Sequence, residues 1–147
     1  MQHRALIESW FRRVWEDEDL DAIVEFMTPH PKVTGLSKAP LAGPDEFRGF
    51  AAAMLAHMQD TKISIDHYME QGDWASFLMH VSATHRGSGT PISFSGLGMV
   101  RVEDGKSAET YNFADFFNFF EQIGKLPDNS LECCLVGEGL CDTPGRH

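Results

Sequence analysis

Two side chains combine the chemistry and the setting that proton transfer needs, Asp115 and His85. Asp115 stands where a strand-like run gives way to the helical spacing that begins at Phe116. A carboxylate there has two readings. It caps the free N–H groups of the following helix, or it stands at the mouth of a pocket lined by Tyr111, Phe113 and Phe116. Five phenylalanines between 113 and 120 make an apolar setting, and partial desolvation raises a carboxyl pKa and suits it to general acid–base work. His85 ends a long alternating run and shares a face with Phe77, Met79, Val81 and Ala83. Facing inward, its imidazole donates to a developing oxyanion or pairs with Asp115. Facing outward, it is a strand-end histidine bonded to backbone or water. His80 falls on the opposite face, as a core or interface residue. Glu109 shares the facing of Asp115 in an unbroken strand, and Tyr111 either lines the pocket or packs cross-strand.

The elements that hold these residues follow from periodicity. Ile7, Trp10, Phe11, Val14 and Trp15 make one face of an amphipathic helix over residues 4–16. They read as core, with Trp10 and Trp15 also forming a pocket wall. Asp19 is positioned to cap a second short helix, broken at Thr28-Pro29-His30-Pro31. A short strand at 32–36 precedes a helix with Pro44 in its first turn, running to about Gln59. Strands follow at 62–69, 74–86, 92–102 and 106–113, with turns at Gly72-Asp73 and Asp104-Gly105. Gly96 and Gly98 suggest a bulge or a strong bend. Gly124 closes the last helix and Pro127 prevents it resuming. Three helices, a run of antiparallel strands and a late helix define an α+β fold, in which a sheet curled round the N-terminal helices encloses a cone open at one end. Residues 1–127 read as one domain. Residues 128–147 read as a tail that packs as an edge strand or on a second subunit.

Composition narrows the function. The chain has 147 residues and a net charge of −10, with pI near 5.0, and no Lys/Arg cluster longer than Arg12-Arg13. That argues against nucleic acid or an anionic membrane as partner. No apolar run approaches the length of a membrane span, and the N-terminus lacks a signal-peptide core. Cys133, Cys134 and Cys141 are an odd set in the last 15 residues, which fits a reducing cytoplasm. Their spacing is wrong for zinc, so no metal site is expected. No phosphate-cradling loop and no nucleophile elbow is present.

Gly105, Lys106, Glu109, Tyr111 and Asp115, followed by Gln122-x-Gly124-x-Leu126-Pro127, resemble the C-terminal signature of the SnoaL-like polyketide cyclase and ester cyclase family. Tyr111 stands where that family usually has Trp. Gly43-Pro44-Asp45-Glu46-Phe47, Gly72-Asp73 and Thr84-His85-Arg86-Gly87 strengthen the resemblance, which spans about residues 4–127. It implies a nuclear transport factor 2-like fold, a homodimer and a conical pocket. It also implies cofactor-free lyase or isomerase chemistry on a hydrophobic carbonyl compound, with Asp115 removing a proton alpha to the carbonyl before an aldol-type ring closure. The alternative is a binding or structural domain of the same fold with no chemistry. A ketosteroid isomerase-like site would need a buried tyrosine beside an acid, for which only Tyr68 and Tyr111 are available. The exposed sheet face carrying Trp74, Leu78, Leu97 and Met99 is the candidate dimer interface.

Overall fold

The computed structural model describes residues 2–140. Helix α1, Arg4–Trp10, runs directly into a π-helical turn, Phe11–Glu16. The wider turn spreads an aromatic stripe that a regular helix would stack on one face. Trp10 meets Phe26 and Phe47, Phe11 meets Phe77 edge-on, and Trp15 meets Phe47 and Phe50. A 3₁₀ turn, Leu20–Ala22, leads into the short α2, Ile23–Phe26. Asp19 does not cap it. Its carboxylate accepts from Arg13 Nη2 at 3.4 Å, and Arg13 also binds Glu25.

The proline-rich segment is itself part of a strand. β1 spans Met27–Thr34 and pairs in parallel with β5, Lys106–Ala114. Its register shifts between Met27 and Lys32, around Pro29 and Pro31, which have no N–H to give to a ladder. One pairing of the sheet is therefore parallel, where the sequence suggests only antiparallel strands. Helix α3, Pro44–Leu55, starts as expected with proline in its first turn and acids beside it, and ends four residues early. β2, Met58–Gln71, β3, Trp74–His85, and β4, Pro91–Glu103, complete a sheet of order β1-β5-β4-β3-β2. Asp104 and Gly105 both have positive φ, 51° and 75°, the geometry of a tight β4–β5 hairpin.

The concave face of this sheet carries Ala75, Phe77, Val81, Ile92, Phe94, Val100 and Val102, all buried against the helices. Gly96 and Gly98 do not mark a bulge, since both keep regular register with β3 and β5. They make room instead. A Cβ on Gly98 would lie 2.5 Å from Phe77 Cζ, and one on Gly96 would lie 2.9 Å from Met79 Cε. The bulge in this ladder lies in β5, where Glu109 pairs with Arg101 and Ser107 with Val102, leaving Ala108 as the extra residue.

Helix α4, Phe116–Gln122, covers the edge of β4 beyond the end of β5. Gln122 completes that edge with its side-chain amide: Ser93 N–H donates to Oε1 at 2.8 Å and Nε2 donates to Ser93 O at 2.6 Å. Gly124, with φ of 77°, ends the helix as expected. The tail is helical where described, not a strand. α5, Ser130–Leu135, packs beside α4, with Ser130 fully buried and Leu131, Leu135 and Val136 exposed. Burial raises the Cys133 thiol above its ordinary value, and its acidic neighbours add to this. Cys141 lies outside the described residues.

Candidate functional site

Between the helices and the concave face lies an apolar cavity of about 120 Å³. Each element contributes through its buried period. α1 and its π-turn bring Trp10, Phe11 and Trp15, α3 brings Phe47 and Phe50, and β3 brings Phe77, Met79 and Val81. Phe116, the first residue of α4, meets Phe50 edge-on at 6.3 Å, and both rings are partly exposed at the wall. The polar lining consists of Thr61, Ser107, Thr110 and Asn112. Asn112 Nδ2 donates to Thr110 Oγ1 at 2.9 Å and to Thr34 O at 3.3 Å. The cavity is lined by no ionisable side chain.

The residues singled out in the sequence divide around this cavity. Trp10, Trp15 and Phe116 line it. Phe113 borders it too, but alternates with Asn112 and Ala114 and is 63% exposed, so its ring stands on the convex face. Asp115 lies between two lining residues without lining the cavity itself. It is exposed, and its Oδ1 accepts from Asn118 N–H at 3.0 Å, the cap geometry.

His85 is at the far end of β3, outside the wall. Its Nδ1 shares a hydrogen bond of 2.8 Å with Ser88 Oγ, and its ring stacks on His57 with centroids 6.4 Å apart. His57 also packs edge-on against Phe119 and Phe120. Burial lowers the pKa of His57, and the charges of Lys125 and His85 push it the same way. The structure thus does not bring His85 and Asp115 together on the cavity wall.

Tyr111 faces out on the convex side, stacked on Trp74 with centroids 6.3 Å apart. Its hydroxyl donates to Glu109, which also binds Arg101 Nε at 3.2 Å. Those two contacts, the tyrosine first, hold Glu109 below the ordinary carboxyl range. Tyr68 also sits beside an acid, donating to Glu70 Oε1 at 2.7 Å. Burial and that carboxylate push its phenol up. Neither tyrosine lines the cavity, so a tyrosine–acid pair inside the cone is not formed. His80 bonds Ser93 and Ser95 on the convex face. Among the described residues no group of three or more His, Cys, Asp or Glu could hold a metal ion.

The polar wall escaped the sequence reading. Thr110 and Asn112 were legible in principle, since both share the period-two face of Ala108 and Ala114. Thr61 was not, because a bulge in β2 sets its facing.

A curved sheet closed by N-terminal helices around an apolar cavity defines a class of cone-shaped α+β proteins. Residues 7–110 match the SnoaL-like domain model, and the chain belongs to that family. No curated protein matches the sequence. Among solved structures, IdmH of Streptomyces antibioticus, a proposed polyketide cyclase, has a TM-score of 0.73 at 18% identity. The match covers 84% of this chain and 99% of that one. TsrD of Streptomyces laurentii has a TM-score of 0.69 at 20% identity, covering 84% and 98%. A protein of Catenulispora acidiphila with a ketosteroid isomerase-like fold, in complex with trimethylamine, has a TM-score of 0.71 at 14% identity, covering 82% and 93%. At these identities the likeness is one of fold. No helix among the described residues is long and apolar enough to cross a membrane.

Proposed function

We propose that the protein receives a hydrophobic small molecule in its cone and holds it by shape, with residues 1–127 as the ligand-holding domain. The observation that carries the reading is an aromatic-lined cavity with four polar side chains and no ionisable one. Such a wall releases free energy as apolar surface leaves water. It offers nothing to take up or deliver a proton. The test is NMR of the full chain with ¹³C-methyl methionine, since Met27, Met54, Met58 and Met79 all line the cavity. Indane, an uncharged bicyclic hydrocarbon, is expected to shift those four signals. Unmoved signals at saturating indane refute the reading.

Cofactor-free cyclase or isomerase chemistry is the second reading. It is favoured by family membership and by the place of Asp115 between Ala114 and Phe116, two lining residues. Asp115 would release Asn118 N–H and take a proton from the carbon beside a guest carbonyl. His85 would be its partner or donate to the enolate oxygen. Exchange of the alpha protons of 1-indanone in D₂O separates the readings. Catalysed exchange that Asp115→Asn abolishes supports the enzyme. Binding with exchange only at the buffer rate supports the binding protein.

We further propose a homodimer through the convex face, where Met69, Leu97, Met99 and Phe113 are 70%, 59%, 44% and 63% exposed.

A further inference from the structure

The cavity wall is irregular at one place. β2 loses register with β3 between Gln59 and Lys62, and Asp60 within that break has φ of 54°. Few non-glycine residues adopt this left-handed geometry, and it costs free energy. A bulge of this kind re-aims the side chain beside it. Here it turns Thr61 into the cavity, where the residue is 2% exposed. Two residues on, the main chain is satisfied at Ile63, whose N–H donates to Glu16 Oε2 at 2.9 Å from the π-helical turn. The Thr61 hydroxyl is not: its Oγ1 has no hydrogen-bond partner. Ser107 Oγ, on β5, lines the same cavity and is also unpartnered.

A buried hydroxyl without a partner is a penalty that valine, of the same shape, does not carry. Strained backbone therefore aims an unsatisfied polar group at enclosed space. The wall provides no counter-charge, so an ionic guest would lose its water without compensation. We infer that the cavity takes an uncharged, largely apolar molecule bearing a hydroxyl or ketone oxygen, and that Thr61 Oγ1 engages that oxygen. The inference rests on the reading of the cavity as a ligand site.

A matched set of probes tests it: indane, 2-indanol and indane-2-carboxylate, titrated into the full chain with the methionine methyl signals as readout. Thr61→Val is expected to weaken 2-indanol about 5-fold, the worth of one net hydrogen bond. Indane affinity should stay level or tighten. The same variant should melt higher than the wild type without ligand, since it deletes the orphaned hydroxyl, and Thr61→Ser should keep the 2-indanol affinity. Indane-2-carboxylate should bind more weakly than either. Loss of indane and 2-indanol affinity in equal measure, or of neither, overturns the role of Thr61 while leaving the cavity a ligand site. Carboxylate binding as tight as that of 2-indanol overturns the uncharged class. Failure of all three probes overturns the ligand site itself.

Discussion

Gly98→Ala tests whether the cavity is real space beside the glycine that faces Phe77. Gly98 pairs with Phe77 on one side and Asn112 on the other, and it lines the cavity. An added Cβ would lie 2.5 Å from Phe77 Cζ and 2.8 Å from Cε2. Ordinary carbon contact begins near 3.5 Å, so the ring tip must retreat by about 1 Å. Phe11 packs edge-on against that ring with centroids 5.5 Å apart, and the cavity that both rings line is the space the tip can enter. In a filled core an inserted methyl costs about 1–3 kcal/mol. With empty space of about 120 Å³ beside the ring, the lower end applies, about 1 kcal/mol. For a domain of this length that is a fall in Tm of about 2–4 °C. The guest loses more than the fold does, because the ring now occupies its place. Indane affinity should drop about tenfold or further, at 1.4 kcal/mol per decade. Thermal melting and the methionine methyl titration measure the two effects on one sample. A Tm loss above about 10 °C with unchanged indane affinity would refute the reasoning, since that is the signature of a ring with nowhere to go.

Removing the Asp115 cap should cost about 1 kcal/mol in Asp115→Ala and almost nothing in Asp115→Asn, because asparagine caps as well as aspartate. Chemical denaturation checks this; equal losses in the two variants would mean the Asn118 contact is not a cap. The depressed His57 pKa gives a pH dependence whose sign is fixed. The unfolded chain takes up the proton near pH 6.5 and the folded one only below that. Stability present at pH 7.5 therefore declines as pH falls through 6.5 towards the folded value. Melting curves at pH 7.5 and 5.5 should show a smaller decline in His57→Gln, and an identical decline removes His57 as its source. Leu97→Glu places a charge in the exposed convex patch and should turn a dimer into monomers by sedimentation. A dimer that survives it does not use that face.

How much of this was legible depended on how local each cause is. The inward face of β3 could be read from alternation, because nothing interrupts its register with β4. The start of α3 could be read because Pro44, Asp45 and Glu46 act within one turn. β1 could be read only at its end, where the strand expected from Lys32 overlaps it, since its extended prolines look like loop until β5 supplies a parallel partner from far along the chain. The aromatic stripe of α1 was visible, but the π-turn that distributes Trp10, Phe11 and Trp15 among α2, α3 and β3 is a tertiary compromise. Gly96 and Gly98 were read as a bulge or a strong bend because glycine in a strand usually marks one. The register shows no bulge there, and what leaves no room for a side chain is Phe77 and Met79 on the neighbouring strand. Asp115 is the sharpest case. Local rules gave its cap, while its chemical reading depended on where the rings of its neighbours point.

The residues that carried the family resemblance are mostly fasteners. Gly105 makes the β4–β5 turn, and Lys106 Nζ donates to Val24 O at 3.3 Å. Glu109 joins Tyr111 to Arg101 on the convex face. Asp115 starts α4, Gln122 ties it to the bare edge of β4, and Gly124 lets Lys125 N–H return to Phe120 O at 2.9 Å. Together they hold the last strand and the last helix onto the sheet, which any cone of this kind requires whatever it encloses. Of all the residues that carried the resemblance, Phe47 alone lines the cavity. The rest of the wall is made by other residues, among them Thr61, Met79, Thr110 and Asn112. A match to the signature therefore speaks for the fold, and a proposal about the guest has to be argued from the side chains of the wall.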